Sequence, residues 1–468
     1  MPKKPKKILK NILKNFKNRY FRRRFILFIF CAIFLIAILY GGFKIASNLS
    51  ANAARREYEN KIFGTLQEKS AEITEFYTYG THFQISGTLD AISADNFENA
   101  KLVLVSENTE KEFAIEGNVQ DNKLMFSSAG LINSGINLDE LGIDTYYLKL
   151  RLKLNNSTEP KYYTLVNSSS YPNIEYYTVT KNGKNNKVKI DFTEYQTIEE
   201  KNLSCLKIQV EEATLPDNVY DIVIDAGHGG KDSGVKAGGY EEKNITLDIS
   251  KILKTELEQR GYKVKLTRDD ENTEDFTATN MYDENGRIDI ACKSEAKLMI
   301  SLHINDGSSK MSGLEVYAPC KSDLTLARTM ANKLIENTYI EFSNNTSFKE
   351  TDGVYVKNFN ANMIKDAEET AKEKNYEPYP LTEDTPYLYT IREVGGIATN
   401  AYVDGRNTAY AKNVHYNSNQ GIECYQIEMG YIDTDLQKII EEEEGYAYFI
   451  SFIFQSQVNF INKLLNSN

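Results

Sequence analysis

Between residues 213 and 218 the chain changes its hydrophobic rhythm, and that change restricts the fold more than any other feature. Before ATLPDN, the segments THFQISGTL, AKLVLVS, TYYLKLRLKL, KYYTLV, NKVKIDF and SCLKIQV alternate apolar with polar residues and are rich in Tyr, Val, Ile and Leu. A side-chain period of two belongs to a strand with one buried face, and turn-forming clusters such as Lys181 to Asn186 separate the runs. Roughly six or seven short strands over residues 79–212 predict an all-β, immunoglobulin-like sandwich. The segment holds no constellation of titratable groups, so its expected role is that of a spacer or of a module for a wall or protein partner. Beyond the linker 213–218, apolar strands such as YDIVID, YKVKLT, AKLMISLHI and LEVYAP alternate with helical patterns. One helix is expected from Ile245 to Arg260, stopped by Gly261, and a last one near 446–465. Residues 219–466 therefore form an expected α/β domain.

Charge is distributed unevenly. The first 24 residues hold eleven Lys or Arg and no acid, whereas the other 444 hold 44 bases against 66 acids, a net charge of −22. So acidic a body is a poor match for nucleic acid, whose affinity comes largely from neutralised phosphates, and no nucleic-acid partner is expected. The basic head precedes FILFIFCAIFLIAILYGGF, nineteen uncharged residues from Phe25 to Phe43. At about 1.5 Å per residue such a run crosses a hydrocarbon layer of roughly 30 Å. The expectation is an uncleaved signal-anchor with the membrane as partner: a basic cytoplasmic segment 1–24, a transmembrane helix 25–43, a helical stalk 44–78, and the rest extracellular, on the cell-wall side. A cleaved signal peptide ending near Ala51, Asn52 and Ala53 is the alternative. The five cysteines, with no CxxC pair, read as small buried hydrophobes.

Only four histidines occur in the chain, and one of them, His228, stands in the glycine-crowded turn VIDAGHGGKDSG. Gly227, Gly229 and Gly230 free the backbone so that His228 can project from the carboxyl edge of a strand. The spacing matches neither phosphate-loop pattern. Glu242 is the last acid before an amphipathic helix, and alone it would read as an acid favoured at a helix N-terminus. His303 ends the apolar strand MISLHIND. Two imidazoles and one carboxylate at the strand and helix ends of one domain make the His₂Glu set that holds a catalytic Zn2+ and leaves a fourth position for water. Such an ion lowers the pKa of its water from about 15.7 to about 7 and polarises a carbonyl.

The blocks IVIDAGHGGKDSG with Glu242-Lys243, RIDIACKSEAKLMISLHIND with SGLEVY, and YQIEMGYI resemble the zinc-dependent N-acetylmuramoyl-L-alanine amidases of the amidase-3 type in order and spacing. The resemblance covers roughly residues 219 to 466. It implies a central mixed sheet flanked by helices, peptidoglycan as substrate, and hydrolysis of the amide between N-acetylmuramic acid and the first L-alanine of the stem peptide. It also implies His228, Glu242 and His303 as metal ligands and Glu428, at the end of CYQIEMGY, as the catalytic carboxylate. A buried strand-end carboxylate suits a general base because burial raises its pKa toward the working pH.

Arg392 falls where the family often has an arginine and is a candidate for substrate contact, as is Asn305, two residues after His303. An ordinary salt bridge is the competing role for Arg392. Glu315 reads equally as support for the site or as a surface charge, and His82 as a structural strand residue. His415, in the long stretch 345–420, reads as a loop histidine. Two alternatives to the amidase reading stay open: a catalytically silent wall-binding or scaffold protein on the same fold, and a zinc hydrolase of another wall peptide bond.

Overall fold

The computed structural model describes residues 19–64, 66–167, 173–178, 185–270, 285–373, 375, 381–395 and 421–441. The expected helix near 446–465 and His415 lie outside them. The chain divides into two compact units, Met1–Thr65 with Tyr195–Leu203, and Leu66–Glu194 with Ser204–Asn468.

The first unit is built on one 45-residue helix, α1 (Arg19–Phe63). Its end is fixed by Glu59, a buried carboxylate that accepts from the Ile198 amide at 2.9 Å and from the Tyr195 hydroxyl at 3.3 Å, while Phe63 packs on the Tyr195 ring at 4.7 Å. This geometry corrects two expectations. The apolar run 25–43 is no element of its own: it continues into a polar half that carries Arg55, Arg56, Glu57, Glu59 and Lys61. Among the described residues no helix is long and apolar enough to cross a membrane, so the transmembrane helix 25–43, and the signal-anchor reading built on it, do not hold. The stalk expected to reach residue 78 ends as helix at Phe63.

The second unit opens with a twelve-stranded sheet of β1 (Ala71–Tyr79), β2 (His82–Asp90), β3 (Phe97–Val105), β4 (Glu110–Ala114), β5 (Glu116–Gln120), β6 (Lys123–Ser127), β7 (Ile136–Asn137), β8 (Asp144–Leu154), β9 (Lys161–Asn167), β10 (Ile174–Tyr177), β11 (Asn185–Gln196) and β12 (Asn202–Ala213). The immunoglobulin-like sandwich expected here is also corrected. An immunoglobulin sandwich keeps two separate sheets, whereas here β8 joins the layers. One of its edges runs along β3, and the other pairs first with β12 (Leu148 opposite Leu206) and then with β9 (Leu150 opposite Tyr163). Residues 146–150 of β8 are consecutively buried, Lys149 included, its ammonium lying 5.0 Å from the centre of the Tyr162 ring. The pattern TYYLKLRLKL reads as a strand with one wet face because alternation does not reveal that a lysine is covered.

After Ala213 the chain enters a seven-stranded mixed sheet of β13 (Ile222–Ala226), β16 (Val264–Leu266), β17 (Leu298–Asn305), β18 (Glu315–Tyr317), β19 (Lys349–Thr351), β20 (Val354–Tyr355) and β21 (Glu423–Tyr431), in the order β16-β13-β17-β21-β18-β20-β19. The tiny hairpin β14 (Lys236–Ala237) and β15 (Tyr240–Glu241) stands apart. The neighbours β16, β13, β17 and β21 are parallel, and β18 reverses against β21. All nine residues of β21 are buried, as a strand covered on both faces requires. One face carries α2 (Glu242–Gln259), which packs through Ile245, Ile249, Leu253 and Leu257, with α4 (Thr325–Asn337) and α7 (Ile432–Glu441) beside it. The other carries α3 (Arg287–Lys293) through Ile288 and Ala291 and α6 (Tyr389–Gly395) through Ile391 and Val394. A further helix, α5 (Ala361–Glu373), precedes α6.

Within this unit the two sheets are joined by polar contacts. Asn133 donates to the Glu423 carboxylate at 2.9 Å and accepts from the Asp323 amide at 2.6 Å, and the Gly80 amide donates to the Gly421 carbonyl at 3.0 Å. Burial raises the pKa of Glu423, opposed by hydrogen bonds from Tyr425 and Asn133. Asn133→Ala removes a donor from that buried carboxyl and leaves the Asp323 amide without its acceptor. We expect a loss of about 2 kcal/mol in urea unfolding; a change below about 0.5 kcal/mol would show that the junction does not depend on this side chain.

Candidate metal centre

Strand β13 delivers the chain to the site and then has to turn sharply. The Gly227 amide donates to the Leu302 carbonyl at 3.0 Å, and a Cβ on Gly227 would lie 2.5 Å from Cε1 of His303. Only glycine permits that approach. His228 itself sits at φ 61°, in the left-handed region that a side chain rarely adopts, so its orientation is held by the surrounding structure. Gly229 and Asp232 exchange two backbone hydrogen bonds of 2.9 and 3.0 Å and close the turn.

Glu242 comes back to His228 through the hairpin. Lys236-Ala237 pairs with Tyr240-Glu241 across Gly238 and Gly239, both at positive φ, the two-residue turn that reverses a strand in least chain length. Glu242 is the first residue of α2 and is 1% exposed. Its Oε2 lies 3.0 Å from Nε2 of His228 and accepts from the Val235 amide at 3.0 Å. Its Oε1 lies 3.1 Å from Nδ1 of His303 and accepts from the Ile304 amide at 2.7 Å. The two imidazole rings stand edge to face, 4.9 Å apart, and one ligand atom from each of the three residues lies within 4.8 Å of the others. A Cβ on Gly234 would collide with Glu242 Oε2, so this glycine too is demanded by the site.

Burial lowers the His228 pKa, but hydrogen bonds and charge from Glu242 and Asp232 outweigh it and carry the group to about 9. Burial pushes Glu242 up, and the two histidines overcome it and hold the carboxyl well below the usual range. Nε2 of His303 is buried and has no hydrogen-bond partner among the described residues. A buried nitrogen donor without a partner, one oxygen donor and a second imidazole fit a small divalent ion.

Several supporting groups carried no signal strong enough to single them out. Asp232 holds Nδ1 of His228 at 3.0 Å and accepts from the Gly234 amide at 3.1 Å, which fixes the ring and turns Nε2 toward Glu242. Its only trace in the sequence is an acid four residues after His228. Arg268 donates to the carbonyls of Ala226 and Gly227 at 3.0 Å each, and Arg287 to those of Ala226 and His228. Fully buried Asp225 pairs with Arg287 and accepts from Ser301 and Thr267 at 2.7 Å each.

Glu428 lies opposite His303 in the β17–β21 register and opposite Glu315 in the β18–β21 register. Burial raises its pKa to about 7, with the charge of His303 opposing and that of Glu242 adding; Gln426 donates to it at 2.7 Å. Glu315 is no surface charge. It is fully buried and accepts from Asn305 at 3.0 Å, Ser343 at 2.7 Å, Tyr317 at 2.6 Å and Tyr431 at 2.6 Å. Asn305 thus faces Glu315. Arg392 is 2% exposed and donates to Glu393 at 2.9 Å and to the carbonyls of Pro386 and Tyr387 at 3.1 and 2.7 Å. His82, at the start of β2, is lowered to about 4 by burial and stands with the accessory sheet.

Residues 222–444 match the family model described as N-acetylmuramoyl-L-alanine amidase. The germination-specific N-acetylmuramoyl-L-alanine amidase of Bacillus subtilis is 32% identical over 111 residues, 22% of this chain and 47% of that protein. The N-acetylmuramoyl-L-alanine amidase AmiA of Escherichia coli is 34% identical over 99 residues, 21% of this chain and 32% of that protein. The chain spans about half or less of the length of these curated relatives. Among solved structures, the N-acetylmuramoyl-L-alanine amidase AmiC2 of Nostoc punctiforme aligns with 52% of this chain and 99% of its own at 21% identity and a TM-score of 0.32. The CwlD amidase of Clostridioides difficile, in complex with the GerS lipoprotein, aligns with 52% of this chain and 99% of its own at 19% identity and a TM-score of 0.33.

Asp232→Asn keeps the shape of the side chain but removes the charge that orients His228. We expect affinity for a divalent ion to fall about 10- to 100-fold with the circular dichroism unchanged. Wild-type affinity in a chelator-buffered titration would show that the backbone alone aims the ring.

Proposed function

We propose that this protein is a peptidoglycan hydrolase that cleaves the amide between N-acetylmuramic acid and the first L-alanine of the stem peptide, with zinc held by His228, Glu242 and His303. The observation that carries this reading is the convergence of those three side chains beside a buried Glu428, inside the segment 222–444 that matches the amidase family. A peptidoglycan substrate puts the place of work at the cell wall.

Zinc in this donor set supplies Lewis-acid polarisation of the scissile carbonyl and lowers the pKa of water. The chain's own groups do the rest. Asp232 and the backbone amides on Glu242 hold the ligands in place, so little reorganisation accompanies the reaction. Glu428, with a pKa near 7, takes the proton from the attacking water and returns it to the departing alanine amine. Gln426 holds one carboxylate oxygen at 2.7 Å and leaves the other for the proton.

Glu428→Gln should keep the ion and lose at least about 100-fold in kcat on a muropeptide, while a chelator abolishes wild-type turnover and added zinc restores it. Mass spectrometry of the products identifies the bond. Turnover by the variant at the wild-type rate, or products cut elsewhere in the peptide, would overturn the assignment.

Ion binding should also depend on pH in a definite direction. His228 holds its proton up to about pH 9, so an entering ion displaces that proton. Affinity rises with pH between 6 and about 9 and levels off above, and titration calorimetry in buffers of different ionisation enthalpy should detect proton release below pH 9. Affinity unchanged between pH 6 and 8 would refute this competition.

A further inference from the structure

The strand that carries Glu428 slips out of register with its neighbour just beyond that residue. Glu428 lies opposite His303 but Tyr431 lies opposite Asn305, so three steps along β21 match two along β17. An extra residue in one strand of a pair is a β-bulge, which re-aims the side chains beside it. Side chains alternate between the faces of a strand, so in a regular β21 the residue three after Glu428 would point away from the face that carries Glu428. The bulge, with Gly430 at φ 149°, brings Tyr431 back to that face, where its hydroxyl meets Glu315.

Glu315 closes the bulge from the third strand. It stands directly opposite Glu428 on β18, a pairing that sets Cβ atoms about 4.5–5.5 Å apart. Its Oε1 accepts from Tyr431 and Ser343, and its Oε2 accepts from Asn305 and Tyr317. One carboxylate thus holds both residues of the pair that follows the bulge, Tyr431 at 2.6 Å and Asn305 at 3.0 Å. From the other face of the sheet, buried Asp435 of α7 fixes the backbone of the same two strands, accepting from the amides of Tyr431 at 3.1 Å and Gly313 at 2.7 Å. The Tyr431 ring is also a floor for the loop after His303, because a Cβ on Gly307 would come within 2.8 Å of two of its carbons.

His303 and Glu428 are held in different ways. His303 is fixed without Glu315, since Glu242 lies 3.1 Å from its Nδ1 and accepts from the next amide, that of Ile304, at 2.7 Å. Among the described residues the Glu428 carboxylate accepts from Gln426 alone, so its direction depends on where the β21 backbone sets it. We infer that Glu315 is a positioning residue: by gripping both sides of the bulge it fixes the direction in which Glu428 projects toward the metal centre. This rests on the amidase reading, in which Glu428 carries the proton. The four donors to Glu315 are all neutral, so the carboxylate is suited to the work by its capacity to accept four hydrogen bonds at once.

The test uses the full chain and measures zinc affinity in a chelator-buffered titration together with kcat and KM on a muropeptide. Tyr431→Phe removes one hydroxyl from the clamp, and Glu315→Leu removes every contact at similar volume. We expect kcat to fall about three- to tenfold in the first and about 10- to 100-fold in the second, with KM and zinc affinity within about twofold of wild type. Glu315→Gln should recover kcat to within about threefold of wild type, because its oxygen accepts from Asn305 and Tyr317 while its NH2 donates to the hydroxyls of Ser343 and Tyr431, which turn to accept. Wild-type kcat in Tyr431→Phe overturns the positioning role, whether or not Glu315→Leu folds. So does a zinc affinity that falls in step with kcat, which would place the effect on the ligands, and so does a Glu315→Gln variant as slow as Glu315→Leu, which would make charge rather than contact the cause. In each of these cases wild-type cleavage at the muramoyl amide leaves the amidase reading standing. Failure of the wild type to cleave that amide removes the amidase reading and the positioning role with it.

Discussion

The Glu242 carboxylate is the contact on which the rest of the site depends. It is almost fully buried, and each oxygen serves one imidazole and one backbone amide, from Val235 and Ile304. An ionised carboxylate taken out of water costs several kcal/mol unless its lone pairs are satisfied. Here four donors converge on it, and the first turn of α2 adds its favourable dipole. That convergence requires the parallel pairing of β13 with β17, the hairpin that returns the chain in a few residues, and two glycines where any Cβ would collide with the ligands. The strained φ at His228 follows from the same demand.

Beneath the ligands lies a second charged layer of opposite sign. Arg268 and Arg287 bind the carbonyls that line the turn, and Asp225 balances them from inside the sheet. The turn is thereby held by charge-assisted hydrogen bonds rather than by regular secondary structure, which suits a backbone that has to adopt unusual angles. Two carboxylates are then driven to opposite protonation preferences by their surroundings alone. Glu242, ringed by donors, stays ionised, while Glu428, buried with a single amide donor and other acids nearby, is raised to about 7. Under the function proposed above, that difference would divide the work of ligand and acid–base between them.

The sequence showed some of this and hid the rest for identifiable reasons. The change of rhythm at residue 213 marks where the twelve-stranded sheet gives way to the seven-stranded one. His228, Glu242, His303 and Glu428 stood out because scarce imidazoles and acids at the ends of apolar runs are chemically conspicuous, and the structure gathers them. Asp232 was hidden because an acid in a polar turn resembles any solvated loop acid. Glu315 was hidden because burial among three hydroxyls and an amide is a tertiary fact. The sharing of β8 between layers was invisible because period two describes the faces of a strand and not its edges. The nineteen-residue apolar run misled because local composition does not show that the helix runs on into a charged half that closes on Tyr195 and Ile198.

The reversal of strand direction between β21 and β18 explains why the site sits where it does. Parallel β13, β17 and β21 bring His228, His303 and Glu428 to their carboxyl ends, and a further parallel strand would have continued with another crossover helix over the face. Antiparallel β18 instead presents Glu315 at the level of Glu428 from its own amino end, and so sets a second buried acid beside the first. With β20 parallel to β18, the chain leaves that row at Tyr355 in the opposite sense to β21, and Tyr317 and Tyr355 pack there in one cluster with Ile391 and Val394 of α6.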